Sequence, residues 1–442
     1  MFDYIGHTLQ NPLPVTSGWL ESLHQKARLG ALGRKVSDES ATESWKYSSL
    51  CALEENNYAT TAKPDPEPDL LDKTLSQTIG IDKSNAHNLV FVNGLFSAEL
   101  SDVEPPPGVE FVRFSHAEGQ HLTSINASLG TMADKHQSIF RVLNELHLKD
   151  GMYIRVNKNV ELDKPIQIVW LTTRQAQSYT VSSRVLIELE PGSKAQIFET
   201  FTSDDAQQNS FTNNVTELLL REGAYLQHFR VHQEQEDALH IGAVHADLYE
   251  NATLKSFHLA LGGALKRVDV AVNLLGEGAD SEQFGAYLLC NDQHMDYHTS
   301  TEHFVPNCTS NEVFRGVVGG RSKAVFNGRI HIHPGAQKTL ARLSNKNLLT
   351  SDTAEVDTKP ELEIYADDVQ CAHGATVAQL DELAIHYLQT RGISRAKAKA
   401  LLSYGFVAML LEQVPEPVFA EHITAIINHY FQRHYSEEGC DE

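Results

Sequence analysis

The chain has 442 residues, enough for two or three cores, and its 36 Lys and Arg face 58 Asp and Glu, a formal charge of −22. That balance argues against nucleic acid or an anionic membrane surface as the main partner, because no basic excess exists to release counterions. No apolar run approaches the roughly 20 residues that span a bilayer, and the N-terminus lacks a basic end followed by an apolar core, so a cytoplasmic protein is expected.

In chain order, residues up to about 36 read as helix. Trp19, Leu20, Leu23, Ala27 and Leu32 fall near helical spacing behind the candidate caps Thr16 and Ser17. Ser37-Asp38-Glu39-Ser40 is a polar turn, and the aromatic-basic-aromatic run Trp45-Lys46-Tyr47 after it reads as a packing anchor. Lys63-Pro64-Asp65-Pro66-Glu67-Pro68-Asp69 is a linker, since alternating proline and acid forms neither helix nor inner strand. Phe91-Val92-Asn93-Gly94-Leu95-Phe96 predicts two short strands around an Asn-Gly turn. Pro105-Pro106-Pro107-Gly108 is a further break, and a helix is expected over 136–148 with Ile139, Phe140, Val142 and Leu143 on its apolar side.

From Gly151 the hydrophobic period changes to two and stays so to about residue 376. A weak repeat runs through this region, a Gly or Asn turn set before a small residue. Its turn positions 192, 223, 251 and 278 are separated by 31, 28 and 27 residues. Such self-similarity predicts the stacked coils of a solenoid, each burying an apolar face against its neighbours. Strand-only coils favour a β-helix; a β-sandwich is the competing fold, but it calls for turn signals every 8 to 12 residues. Solenoid ends expose unpaired edges, and the flanking helical segments are expected to supply caps.

The strand region ends in Asp367-Asp368-Val369-Gln370-Cys371-Ala372-His373-Gly374-Ala375-Thr376. Cys371 and His373, two apart on an extended segment, point the same way and can act together on one iron or sulfur species. The plainer reading is a small buried hydrophobe beside a hydrogen-bonded end-of-strand histidine. Beyond it the pattern turns helical. Asp381 can cap a helix that stops at Gly392; Ser394 can cap the next, with Leu401, Leu402, Phe406, Met409 and Leu410, closed by Pro415 and Pro417. Ile423, Ile426, Ile427, Tyr430 and Phe431 form the stripe of a third, before a tail from Ser436 to Glu442. Such stripes are core, or they dock a partner. The expected division is a mostly helical region with linker at 1–150, a β-core at 151–377 and a helical domain at 378–442.

Tests for familiar chemistry are mostly negative. No G-x-x-x-x-G-K-[ST], H-E-x-x-H or G-x-S-x-G occurs, and Gly276-Glu277-Gly278 lacks a third glycine and a following helix. The five cysteines, Cys51, Cys290, Cys308, Cys371 and Cys440, are scattered without a C-x-x-C pair and read as reduced thiols. Histidine is the compositional oddity, with 22 residues. His331 and His333 share one strand face, as do His294, Asp296 and His298, so a β-solenoid metalloenzyme is the alternative function, although two-residue spacings arise easily by chance.

Five stretches carry a resemblance: Glu43-Ser44-Trp45-Lys46-Tyr47, Val325-Phe326-Asn327-Gly328-Arg329-Ile330, Ala336-Gln337-Lys338-Thr339, Asn347-Leu348-Leu349, and Pro360 through the Cys-x-His-Gly-Ala-Thr to Ile393. Together they resemble the SufB/SufD family of the Suf iron–sulfur cluster assembly system. Within it they resemble the SufD branch, because the SufB branch carries Glu-His-Glu-Ala where Ala372 to Ala375 stand here. Ser182-Ser183-Arg184 departs from the family's usual His-Pro-Arg, and Ala378 from its glycine, which bears on local turns.

The resemblance implies a right-handed parallel β-helix between helical ends. It implies a non-catalytic scaffold partnered by SufB and the ATPase SufC, with a homodimer as the alternative state of the isolated chain. It places His373 at the SufB interface, where the nascent cluster assembles, with Cys371 as the neighbouring thiol, and SufC on the C-terminal helices. No stably bound cofactor or metal is expected of this chain alone. The cluster is transient in the complex, and the reduced flavin associated with the family's complex matches no motif here.

Overall fold

A computed structural model describes residues 6, 8–9, 18–35, 38–39, 42–55, 58, 85–132, 138–204, 207–414 and 417–435. The caps at Thr16 and Ser17, Ser37 and Ser40 of the polar turn, the 63–69 linker, Pro415 and the 436–442 tail lie outside them.

Strand makes up 45% of the structure and helix 24%, and the strands wind into a β-solenoid of about eight turns with helices at both termini. From Met152 onward, successive strands alternate between a ten-stranded and a nine-stranded sheet, and each pairs in parallel with the strand one coil away. The period-2 pattern dictates this: one set of side chains enters the interior and the other faces outward.

The repeat seen in the sequence is a column of left-handed turns. Asn159, Gly192, Gly223, Asn251, Gly278, Asn307 and Lys338 all have positive φ, between 54° and 74°. Stacked amides link them: the N–H of Gly192 donates to Glu222 O, Gly223 to Glu250 O, Asn251 to Glu277 O and Asn307 to Gln337 O. The column also selects glycine. A Cβ on Gly192 would lie 2.5 Å from Asn159 Oδ1, and one on Gly278 2.4 Å from Asn251 Oδ1.

The solenoid begins earlier than expected, because His87–Val92 already pairs in parallel with Ile166–Thr172. The Asn93-Gly94 turn, both residues at positive φ, folds Leu95–Phe96 back antiparallel as predicted. At this N-terminal end, Leu95–Phe96 and the antiparallel strand Val109–Arg113 close the two sheets.

Helices α1 (Gly18–Ala31), α2 (Cys51–Glu55), α3 (Gly119–Ser128) and α4 (Ile139–His147) belong to the N-terminal region. Ile139, Phe140 and Leu143 of α4 pack with Trp45 against Phe211, Ile241 and Leu265 of the nine-stranded sheet. Trp45 is buried under Arg267, whose guanidinium lies 4.1 Å from the ring centroid, so the Trp45 run is indeed a packing anchor.

The C-terminal helices are α5 (Glu382–Thr390), α6 (Arg395–Leu411) and α7 (Pro417–His434). Asp381 accepts from Leu383 N, Ser394 accepts from Lys397 N, and Gly392 takes φ 82° to end α5. Pro417 opens α7 rather than closing α6, a position where its missing N–H is no loss. Contrary to expectation, α6 and α7 do not cap the last coil. They fold back along the outer face of the ten-stranded sheet, where Phe419 packs on Phe198 and Phe229 with centroids 4.6 and 4.1 Å apart. Apolar residues on that face, including Phe257, Phe284 and Val317, form one buried cluster with residues of these helices.

Two further expectations need correction. Cys290 is disulfide-bonded, whereas Cys51, Cys308 and Cys371 are free; linear spacing carries no information about which thiols meet in space. The solenoid interior is also not uniformly apolar, because its middle coils bury Glu199, His228, Arg230, His232, His258, Gln283 and Glu312.

Candidate functional site

The last strand of each sheet, Glu355–Ile364 and Val369–Gln379, has a neighbour on one side only, and both open edges lie at the C-terminal end of the solenoid. Cys371 and His373 sit on the second of these strands. Its entry is fixed by the turn column: Lys338 N donates to Asp368 O, and Gln337 Oε1 accepts from Asp368 N at 2.8 Å.

Register places Cys371 over Ala341 and His373 over Leu343, both buried, so the pair stands on the inward-facing side of the final coil. Cys371 is half-buried against the core, while His373 is exposed, and among the described residues no hydrogen bond or ion pair holds its ring. Burial pushes the Cys371 thiol up, opposed by a backbone hydrogen bond from Ala341, so at neutral pH it is a thiol and not a thiolate. The sequence-predicted pair is therefore brought together at an open end. Its neighbour Gly374 has ordinary φ, and a Cβ there would meet nothing within 4 Å, so no contact among the described residues demands glycine.

Open parallel edges attract further strands, and proteins blunt them with charge or proline. Pro360 lies within Glu355–Ile364, a position tolerated only where its missing N–H faces away from the ladder. Reading Pro360 as an edge marker would have located the open end from sequence.

The five residues expected to dock a partner on α6 separate into two faces. Leu410 is buried and Phe406 half-buried beneath Arg315, which donates to Phe406 O; both face the solenoid. Leu401 and Met409 are 45% and 57% exposed, Leu402 is intermediate, and Leu383 and Tyr387 of α5 add 78% and 58% exposed apolar side chains.

Eight of the described histidines are buried and structural. His228 Nε2 lies 2.9 Å from Glu199 Oε1, His240 Nδ1 3.0 Å from Glu234 Oε1, and His303 Nε2 2.9 Å from Ser310 Oγ, all inside the solenoid. His232, Glu234 and His240 converge, but Lys266 Nζ lies 3.6 Å from Glu234 Oε2 and Arg230 Nε donates to His232 Nε2, so two cations already serve that cluster. Asp296 accepts from Ser48 at 2.6 Å and lies 3.3 Å from Arg267 Nη1 and 3.0 Å from His298 Nε2; Ser48 Oγ is also 2.8 Å from His294 Nε2. That set ties the N-terminal region to the sheet. His331 and His333 do come together on the outer face of the nine-stranded sheet, with Glu302, which sequence reading missed because it lies one coil away.

A family model described as the SufBD core domain of SUF system FeS cluster assembly matches residues 171–406, and one for the SufBD protein N-terminal region matches 20–168. The iron–sulfur cluster assembly protein SufD of Escherichia coli K12 is 31% identical over 413 residues, covering 92% of this chain and 91% of its own length. A SufBD family iron–sulfur cluster assembly protein of Synechocystis is 27% identical over 91% of this chain and 90% of its own length. SufB of Bacillus subtilis is 24% identical over 62% of this chain and 59% of its own length. No helix among the described residues is long and apolar enough to cross a membrane.

Proposed function

The chain belongs to the SufBD family of iron–sulfur cluster assembly proteins, and from that premise we propose that it is a non-catalytic, cytoplasmic scaffold subunit. It pairs with SufB through the open end of its solenoid and binds the ATPase SufC through α5 and α6. The observation that carries this reading is the coincidence, among the described residues, of two unpaired sheet edges, the inward-facing Cys371 and His373, and a glycine that no neighbour requires. An added parallel strand completes the backbone hydrogen bonds of an edge and brings its own side chains over Cys371 and His373.

At that junction a neutral imidazole at His373 can ligate iron or accept the proton of a neighbouring thiol. Cys371, held as a thiol by burial, gains ligand character only when a base or a metal removes its proton. Iron and sulfide are the cargo, and ATP-driven movement of SufC subunits opens and closes the junction around them.

Co-expression of the tagged chain with its host's SufB and SufC, followed by mass analysis of the purified assembly, tests the pairing. His373→Ala is expected to copurify with both partners yet assemble no cluster, read from the visible absorbance of the assembly. Cluster formation at the normal level in His373→Ala would reduce the chain to a structural holder of SufC.

A further inference from the structure

On the outer face of the nine-stranded sheet, Glu302, His331 and His333 come from two neighbouring coils, and their ligand atoms all lie within 4.8 Å of one another. We propose that these three residues bind one exchangeable divalent transition-metal ion, of the class that takes imidazole and carboxylate together, such as Fe(II) or Co(II). The site is separate from Cys371 and His373, and the proposal stands whether or not the chain acts as a scaffold.

Glu302 Oε2 is the point of convergence. His333 Nε2 lies 2.7 Å from it and His331 Nδ1 3.1 Å. Two donors each about 2.1 Å from one ion and at right angles sit about 3.0 Å apart, so an ion could enter with small side-chain shifts. The imidazoles are held in advance. His333 stacks between Phe304 at 4.2 Å and His331 at 4.0 Å, and Tyr365 meets His331 edge-on at 5.4 Å. Preset ring planes lower the entropy lost on binding.

Arg329 is the objection to be met. Its Nη1 donates to Glu302 Oε1 at 2.6 Å and its Nη2 lies 2.8 Å from His331 Nδ1. It also binds Glu363, Nε to Oε1 at 2.6 Å and Nη2 to Oε2 at 3.3 Å. Two carboxylates against one guanidinium leave the cluster a net negative charge to receive a cation. Glu363 can keep the guanidinium while Oε1 of Glu302 stays bonded to it and Oε2 turns to the metal. His331 Nδ1 cannot now serve both neighbours, because a protonated nitrogen faces Arg329 donor to donor and an unprotonated one faces Glu302 acceptor to acceptor. A metal on that nitrogen takes its lone pair and bridges it to Glu302, and Arg329 Nη2 gives up His331 and keeps Glu363 Oε2. Glu302 is nearly buried, but the two imidazoles are 17% and 25% exposed, so water can complete the coordination.

Anaerobic equilibrium dialysis of the full chain with Co(II), alongside the visible d–d spectrum, tests the proposal. One saturable equivalent is expected, unchanged in a Cys371→Ser, His373→Ala double variant and weakened more than about tenfold in His333→Gln and in Glu302→Gln. His333→Gln leaves the Arg329–Glu302 pair in place, and unchanged circular dichroism shows that each variant is folded. No saturable Co(II) binding, binding that survives both ligand substitutions, or binding lost with Cys371 and His373 would each overturn it.

Discussion

At the residue scale, Cys371 and His373 have different starting states. The thiol is half-buried and pushed up from the ordinary value of 9.0, whereas the imidazole stands in solvent. Alkylation of Cys371 by iodoacetamide, followed by peptide mass against pH, is therefore expected to reach its midpoint above 9.0 in the isolated chain. A midpoint at or below that value would mean that the resting thiol is already activated. The two-residue spacing made the shared side of this pair legible in the sequence. Which side it faced was not, because inward and outward differ only by register with Ala341 and Leu343, thirty residues earlier. Glu302 was illegible for the same reason, since its distance from His331 in sequence is one full coil.

At the element scale, α6 shows how a correct stripe can carry two roles. One apolar stripe marked Leu401, Leu402, Phe406, Met409 and Leu410 together, yet the sheet takes Leu410 and Phe406 and leaves Leu401 and Met409 outside. Removing Leu410 with Ala is expected to cost about 2–5 kcal/mol of stability, as deletion of a buried leucine does. The double change Leu401→Asp, Met409→Asp should leave thermal stability within about 1 kcal/mol while SufC is lost from the copurified assembly. Retention of SufC at the wild-type level would place the ATPase elsewhere. The caps of α5 and α6 and the stop of α5 were readable residue by residue, because Asp381, Ser394 and Gly392 act through bonds within a few positions. That the two longer helices lie along a sheet rather than over its end was not readable, since the phenylalanine row they cover is assembled from strands one coil apart.

At the scale of the whole molecule, the histidine excess becomes an acid-sensitive body. Burial lowers His147, His303 and His422 to about 4 each, and His258 and His232 well below the ordinary 6.5. Between those values the unfolded chain binds protons that the folded chain refuses, so stability falls as pH drops from 6.5 towards 4. Burial would raise Glu199, but Arg230 and the hydrogen bond from His228 hold it at about 2, which adds a further loss as pH falls from 4.5 towards 2. Glu312, raised by its burial, works the other way. The urea midpoint is expected to drop clearly between pH 7.5 and pH 4.5; a flat profile would mean that the buried imidazoles relax into water on protonation.

The sequence by itself determined the solenoid, because its signals are local: strand period, left-handed turn residues and helix caps each act within a few positions, and the coil repeats them. It also carried the Cys-His strand and the family motifs around it. Tertiary structure alone decided which end of the solenoid stays open, which strand faces look inward, which thiol is oxidised and which carboxylate meets His331 and His333. Those outcomes depend on pairing register between coils about thirty residues apart, and register is set by the packing of every coil at once.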